Sequence, residues 1–214
     1  MKKYYSNMRY WLYCLLFLLL NSVAVAHPHA FIDMQNQFLI EQNRLVGIRM
    51  QWLMDEISSS EVIYEIENST NKEKTVKQLT AEIMQNIVNQ HYFAYFYDKN
   101  HQPIPYTKQP QNSELHVVNK HQLQIKFDVM LSKPRDLTQQ QATLLIYDPT
   151  YYIAMLYPDK NSMTFNQTTQ CELQIVEPEP NKAMQNYAAS LDKNAEEDTS
   201  LGVLFAQKVT LSCP

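Results

Sequence analysis

The chain has 214 residues, with 18 lysines and arginines against 22 aspartates and glutamates, which gives a formal charge of −4. This balance excludes the dense basic face that nucleic-acid binding needs. The only two glycines, Gly47 and Gly202, stand too far apart to form a glycine-rich phosphate-binding loop.

Residues 1–26 predict a cleaved secretory signal. Three basic residues and no acid accompany a ten-residue apolar run, 11–20, and the segment ends in Ala24-Val25-Ala26. The apolar run is too short to cross a bilayer, which takes about 20 residues. No second run of that length follows, so we expect a mature chain without a membrane span. Cleavage leaves one domain, 27–214, with 15 basic and 22 acidic residues and a formal charge of −7.

The mature chain retains two cysteines, Cys171 and Cys213. In an oxidising compartment, two cysteines most simply form one disulfide. Closing a loop of roughly 40 residues contributes about 4 kcal/mol of stability in the chain-entropy model. The alternative is a pair of thiolate metal ligands.

In chain order, the first predicted element is a β-hairpin. Two apolar-rich segments, 31–40 and 45–54, are separated by the polar residues 41–44. Residues 58–61, Ser-Ser-Ser-Glu, have the form of a capping box, which predicts the start of a short helix. A second, amphipathic helix is predicted from apolar residues at spacings of three and four. These residues are Val76, Leu79, Ile83 and Ile87.

Strands dominate the rest of the chain. The clearest signal is 123–131, where apolar and polar residues alternate with a period of two. The other predicted strands are 92–97, 144–147, 151–157 and 208–212. A third helix is predicted after Pro180, and an acidic loop with Glu196, Glu197 and Asp198 precedes the final strand. Strands interrupted by a helical block indicate an α+β fold, with an antiparallel β-sheet of hairpins that could be sandwich-like, and two or three helices.

The residues most informative about function are the first three of the mature chain, His27-Pro28-His29. The α-amine and the imidazole of an N-terminal histidine can chelate one metal ion, because both donors are neutral at mildly alkaline pH. In an extended chain residues i and i+2 share a face, so His27, His29 and Asp33 can converge. Imidazoles with a carboxylate suit Zn, Ni, Cu or Co. The alternative is a solvated polar start without a ligand.

Further candidate ligands also have structural interpretations. Asp55 and Glu56 either complete a metal shell or form an acidic pair favoured by the dipole of the following helix. Asp148 is either a ligand or the acceptor of its own turn before Pro149. Core positions are the simplest interpretation of Tyr147, Tyr151, Tyr152 and Tyr157. Surface positions are expected for His91, His101, His116 and His121.

The usual catalytic signatures are absent from the sequence. No Gly-x-Ser-x-Gly elbow, His-Glu-x-x-His helix or Cys-x-x-Cys motif occurs. We therefore expect a protein without catalytic turnover.

Four segments together resemble the ZevA-like periplasmic proteins, a family otherwise described as a domain of unknown function. The segments are His27-Pro-His-Ala-Phe-Ile-Asp33, Trp52-Leu-Met-Asp-Glu56, Tyr147-Asp-Pro-Thr-Tyr-Tyr152 and Leu201-Gly-Val-Leu-Phe-Ala206. The resemblance spans nearly the whole mature chain. It implies a periplasmic accessory protein that works with an inner-membrane permease of the nickel/cobalt type in transition-metal homeostasis.

Zinc is the metal that the resemblance implies first, followed by nickel or cobalt. The motif positions carried over as candidate ligands are His27, His29, Asp33, Asp55, Glu56 and Asp148. Two other functions stay open. One is a copper oxidase-like protein that uses an N-terminal histidine brace and a third imidazole. The other is a metal-independent module that docks a membrane partner.

Overall fold

The computed structural model describes residues 28–191 and 198–214. Within these residues the chain forms three α-helices and eleven β-strands, arranged in two sheets, so the predicted α+β fold is confirmed. No helix in the described part of the chain is long and apolar enough to cross a membrane. The predicted signal lies outside the described residues, as do Glu196 and Glu197 of the acidic loop.

The helices are α1 (Glu56–Asn68), α2 (Lys72–Asn89) and α3 (Lys182–Ser190). Short 3-10 turns occupy His91–Phe93 and Gly202–Phe205. The strands are β1 (Ala30–Met34), β2 (Asn36–Glu41), β3 (Arg44–Met54), β4 (Ala94–Asp98), β5 (Gln111–Val118), β6 (Gln122–Asp136), β7 (Gln141–Ile146), β8 (Ile153–Leu156), β9 (Met163–Phe165), β10 (Glu172–Val176) and β11 (Lys208–Ser212).

The larger sheet has the strand order β5-β6-β3-β1-β8, with β2 also paired to β3 and β9 to β2. Its pairs are antiparallel except for β1–β8 and β2–β9, which are parallel. The smaller sheet, β10-β11-β7-β4, is antiparallel throughout. The predicted hairpin is confirmed as β2–β3, and its turn residues Gln42 and Asn43 both have positive φ, as tight hairpin turns require. The predicted strand 31–40 is interrupted at Gln35 into β1 and β2.

The core lies where the two sheets and the helices meet. Leu123, Ile125 and Phe127 of β6 are fully buried, whereas the residues between them are partly exposed. This is the alternation that predicted the strand. Phe38 of the larger sheet stacks on Phe96 of the smaller one, with ring centroids 5.7 Å apart. The pair connects the two sheets through contacts that bury both rings.

The start of α1 corrects the predicted capping box. The helix begins at Glu56, and Asp55 caps it by accepting a hydrogen bond of 2.8 Å from the backbone N–H of Ser58. Ser59 is fully buried, and its Oγ accepts a hydrogen bond of 2.9 Å from the N–H of Leu123. The serine run therefore anchors the helix to β6 and does not open it.

The strand predicted over 92–97 begins two residues later than expected. His91, Tyr92 and Phe93 all have positive φ, 51°, 59° and 52°, and form a left-handed turn between α2 and β4. Each left-handed residue with a side chain costs about 1–2 kcal/mol, so local propensity does not predict this turn. Strand β5 was missed for a different reason: Leu115 is its one buried residue, and the strand lacks an apolar alternation.

Candidate functional site

The beginning of β1 brings most of the candidate residues to one end of the larger sheet. Antiparallel pairing with β3 sets Ile32 opposite Met54, so Phe31 comes opposite Asp55, just beyond the end of that strand. Parallel pairing with β8 sets Ala30 opposite Ile153. We call this region the His29 end of the sheet.

His29 is held at this end by its backbone and by its ring. Its N–H donates a hydrogen bond of 2.9 Å to the carbonyl oxygen of Tyr152, which extends the β1–β8 pairing by one residue. Its imidazole lies 4.6 Å from the Tyr152 ring, centroid to centroid, at a tilt of 35°. His29 is exposed, and its partner in the predicted chelate, His27, lies outside the described residues.

Asp55 joins the helix start to β1. One carboxylate oxygen accepts the N–H of Ser58, and the other accepts the N–H of Phe31 at 2.8 Å and the Ser58 hydroxyl at 2.7 Å. Partial burial acts to raise the pKa of the Asp55 carboxyl, but the hydrogen bonds from Phe31 and Ser58 outweigh it and leave the pKa below its usual value. Asp55 therefore has the structural role that the sequence allowed for it, that of an acidic residue at the start of a helix.

Glu56 and Asp33 are exposed carboxylates in different positions. Glu56 is the first residue of α1, directly after the Asp55 cap at the His29 end. Asp33 shares the exposed face of β1 with Phe31 and follows His29 by four residues. Four residues of strand span about 13 Å, which exceeds the reach of one metal ion shared directly with His29. Asp33 is therefore separated along β1 from the residues at the His29 end.

Asp148 is buried and holds the turn that leads into β8. Its carboxylate accepts the N–H and the hydroxyl of Thr150 at 3.0 and 2.9 Å, and the N–H of Ile153 at 3.0 Å. Gly202 packs on the same turn and donates its N–H to the carbonyl oxygen of Pro149 at 2.8 Å. The turn interpretation of Asp148 accounts for its contacts, and its oxygens have little capacity left for a metal ion.

Of the four tyrosines predicted to be core residues, one is buried and one is exposed, and Tyr147 and Tyr151 are half-buried. Tyr157 is buried at 3% exposure, in agreement with the prediction. Tyr152 is 46% exposed and lies against His29, so its core prediction is wrong. Tyr151 stacks on Phe205 with ring centroids 4.2 Å apart, and its φ of 57° turns the chain before β8. Tyr152 follows this left-handed residue, and no sequence pattern predicts its exposure.

The described part of the chain contains no group of three or more His, Cys, Asp or Glu side chains close enough to hold a metal ion. His27 lies outside the described residues, so the ligand set predicted around it stays a prediction. The Cys171–Cys213 disulfide is present, so these cysteines do not form a thiolate site. The four histidines expected at the surface are exposed: His91, His101, His116 and His121.

Comparison with known proteins gives the family. Residues 12–213 match the model of a protein family of unknown function, DUF1007. The chain belongs to the DUF1007 family. An uncharacterized protein of Haemophilus influenzae is 43% identical to it over 201 residues, which cover 93% of this chain and 97% of that protein. The family match includes the whole His29 end, from β1 to the turn that contains Gly202.

Proposed function

We propose that this DUF1007 protein is a periplasmic accessory protein that binds a divalent transition metal and works with an inner-membrane permease of the nickel/cobalt type. Zinc is the first candidate metal, followed by nickel and cobalt. The proposal takes His27 and His29 as the primary ligands and assigns no catalytic turnover to the protein. It extends the ZevA-like resemblance from the motif positions to one end of the larger sheet.

The observation that carries the proposal is the attachment of His29 to Tyr152. A metal-binding chain terminus needs a fixed position, because ordering a free chain costs about 1–2 kcal/mol for each residue. The backbone hydrogen bond of 2.9 Å and the ring contact hold His29 at the start of β1. His27 is two residues away along the chain, and its amine and imidazole would complete a chelate with the His29 ring.

The carboxylates at the His29 end differ in how many hydrogen bonds they already accept from the protein. Asp148 has little free acceptor capacity and acts as a support of the turn. Asp55 accepts hydrogen bonds from Phe31 and Ser58, whereas Glu56 is exposed beside it. No described lysine or arginine forms an ion pair with either residue. Glu56 is therefore the carboxylate best suited to a metal held by the histidines, with Asp55 fixing the helix start next to it.

The test is a calorimetric zinc titration of protein secreted and processed so that it begins at His27. We expect micromolar or tighter binding, weakened when one extra residue precedes His27, because the extension replaces the α-amine with an amide. Replacement of both His27 and His29 by alanine is expected to abolish this binding and leave the thermal unfolding midpoint unchanged. Unaltered zinc affinity in the double variant would overturn the assignment.

A matched control separates this site from adventitious binding by surface histidines. His101 follows β4 of the smaller sheet, and His116 lies on β5, the edge strand three positions from β1 in the larger sheet; both are exposed. Their double alanine variant removes the same number of imidazoles and is expected to bind zinc as tightly as the wild-type protein. Equal losses in the two double variants would indicate nonspecific histidine binding.

A second candidate function, a metal-independent docking surface, is supported by exposed apolar side chains at the same end. Phe31 is 48% exposed, Ile57 85% and Tyr152 46%. Exposed apolar side chains that lie together are typical of protein contacts. Co-purification of the permease with a Phe31→Ser/Ile57→Ser variant, compared with the His27/His29 double variant, distinguishes the two functions. Loss only in the first variant favours docking, and loss only in the second favours metal-dependent association.

A further inference from the structure

We propose a second ligand site, independent of the His29 end, in the aromatic cleft at the edge of β4, and we infer that it takes a small organic anion with an aromatic or aliphatic body. The cleft has a volume of about 590 Å³. Volumes of roughly 300–1,000 Å³ are typical of small-molecule sites. We call it the β4 cleft.

Three parts of the chain build the β4 cleft. The end of α2 and the left-handed turn form one wall, and β4 forms the floor. The opposite wall is the segment 103–108, which connects the two sheets. In that segment Ile104 donates its N–H to the carbonyl oxygen of Phe96 in the smaller sheet at 2.8 Å. Thr107 donates to the carbonyl oxygen of Met130 in the larger sheet, also at 2.8 Å.

Aromatic and proline side chains give the cleft an apolar interior. Tyr95, Tyr97 and Tyr106 line it together with Pro103 and Pro105. Tyrosine rings offer flat apolar faces with a polar edge, so they suit ligands that combine a ring or chain with a polar group. The ring of Tyr106 faces the cleft, while its hydroxyl is buried without a hydrogen-bond partner in the described residues. Because this hydroxyl is buried, only the ring of Tyr106 is available to the lining of the cleft.

The left-handed turn fixes the aromatic wall. Its central residue, Tyr92, donates its hydroxyl to the carbonyl oxygen of Thr107 at 3.1 Å across the cleft. The Tyr92 ring also meets the Tyr106 ring edge-on at 6.1 Å, centroid to centroid. Strained backbone of this kind persists where the surrounding structure holds it and is concentrated at ligand sites. The hydrogen bond joins the two walls, so the cleft is preformed.

The charge of the lining favours an anion. Among the described residues that line the cleft, Lys108 is the only permanently charged side chain, with His91 as a further polar group and no carboxylate. The chain as a whole carries more acidic than basic residues, so a cleft without acids departs from the general composition. A ligand with an apolar body against the tyrosines and an anionic group toward Lys108 matches both properties.

The test uses two fluorescent probes that differ by one charge. These are 8-anilinonaphthalene-1-sulfonate and its uncharged analogue N-phenyl-1-naphthylamine, titrated into the full mature chain with a chelator present. We expect both to bind, the sulfonate more tightly. In Lys108→Glu the sulfonate affinity is expected to fall about fivefold, since reversing a partly exposed charge changes attraction into repulsion. The affinity of the neutral probe should not change.

Two further variants keep the experiment decisive. Asn89→Trp places a large side chain at the exposed mouth of the cleft and is expected to weaken both probes by tenfold or more. Lys160→Glu carries the same charge change as Lys108→Glu at an exposed loop position outside the cleft and is expected to bind like wild type. The proposal is overturned if neither probe binds, or if Lys108→Glu and Lys160→Glu have the same effect. It is also overturned if Asn89→Trp binds both probes unchanged. Because chelator is present, none of these results depends on the zinc titration.

Discussion

Gly202 packs directly on the backbone carbonyl of Asp148, at a distance that leaves no room for a Cβ atom. The contact brings the chain before β11 onto the turn before β8, although the two residues are far apart in sequence. Asp148 in turn holds the N–H of Ile153 beside the start of β1. One close backbone approach therefore supports the turn that contains Tyr152, just before β8, and through it the position of His29.

We expect Gly202→Ala to destabilise the protein by about 1–3 kcal/mol, because the added methyl group must displace backbone on one side of the contact. Urea unfolding followed by circular dichroism measures this change. Val203→Ala is the matched control, since Val203 is adjacent and 43% exposed. Its expected change is within about 0.5 kcal/mol. Equal stability of Gly202→Ala and wild type would show that the turn moves aside without cost.

Asp55 contributes to stability by capping α1 and by binding the Phe31 N–H. Asp55→Ala removes both interactions and is expected to cost about 2 kcal/mol, the upper end of measured cap losses. Asp55→Ser retains an oxygen that can cap the helix but is too short to reach Phe31, so it is expected to lie between alanine and wild type. Chemical denaturation of the three proteins gives the order. A serine variant as unstable as the alanine variant would contradict the capping role.

Stability at low pH is expected to depend on Asp128. Its carboxylate is buried and accepts two hydrogen bonds from Arg49, at 2.7 and 2.8 Å, and one from Asn112 at 2.8 Å. Burial acts to raise the pKa of Asp128, but these hydrogen bonds and the charge of Arg49 outweigh it and lower the pKa from its ordinary value of 3.8. A carboxyl whose folded-state pKa is lowered stabilises the fold above its unfolded-state pKa and loses this contribution as the pH falls through the folded-state value.

We therefore expect the free energy of unfolding to decrease as the pH falls below about 5, with the steepest loss below the ordinary carboxyl pKa. Asp128→Asn removes the titrating group, so its stability curve should be flatter in this range. The variant is also less stable at neutral pH, because Arg49 loses its charged partner. If the free energy of unfolding falls equally with pH in the two proteins, the titration belongs to other carboxyls, and Asp55 is the first of these to examine.

The disulfide between Cys171 and Cys213 joins two residues 42 positions apart. It closes the open end of the β10–β11 pair, in which Glu172 is opposite Ser212. Replacing both cysteines by serine is expected to cost about 4 kcal/mol, from the chain entropy returned to the unfolded state. The comparison is thermal unfolding of the oxidised protein, the reduced protein and the double variant. We expect the reduced protein and the double variant to unfold at the same temperature, and both at a lower temperature than the oxidised protein.

The sequence patterns predict the helices and strands that bury one regular face. They do not predict the turns and strand pairings that depend on contacts between distant parts of the chain. The alternation in β6 and the apolar stripe of α2 each follow from one buried face, and both elements formed where expected. The left-handed turn at His91–Phe93 and the parallel pairing of β1 with β8 depend on long-range packing, which periodicity does not reveal. At the candidate site, Asp55 and Asp148 were recognised as important residues with two possible roles, and only their hydrogen bonds identify the structural one.

Glu56 provides the most direct test of a carboxylate ligand at the His29 end. It follows the Asp55 cap, is exposed, and its side chain forms no hydrogen bond or ion pair with the other described residues. We expect Glu56→Gln to weaken zinc binding about tenfold or more, the loss typical of removing a partner at a metal site. Its effect on stability should be below about 1 kcal/mol, since it removes only a favourable charge from the first turn of α1. Glu61→Gln makes the same change at an exposed position of the same helix and is expected to bind zinc like wild type. Identical zinc affinities for the two variants would remove Glu56 from the ligand set and leave the histidines as the site to be tested.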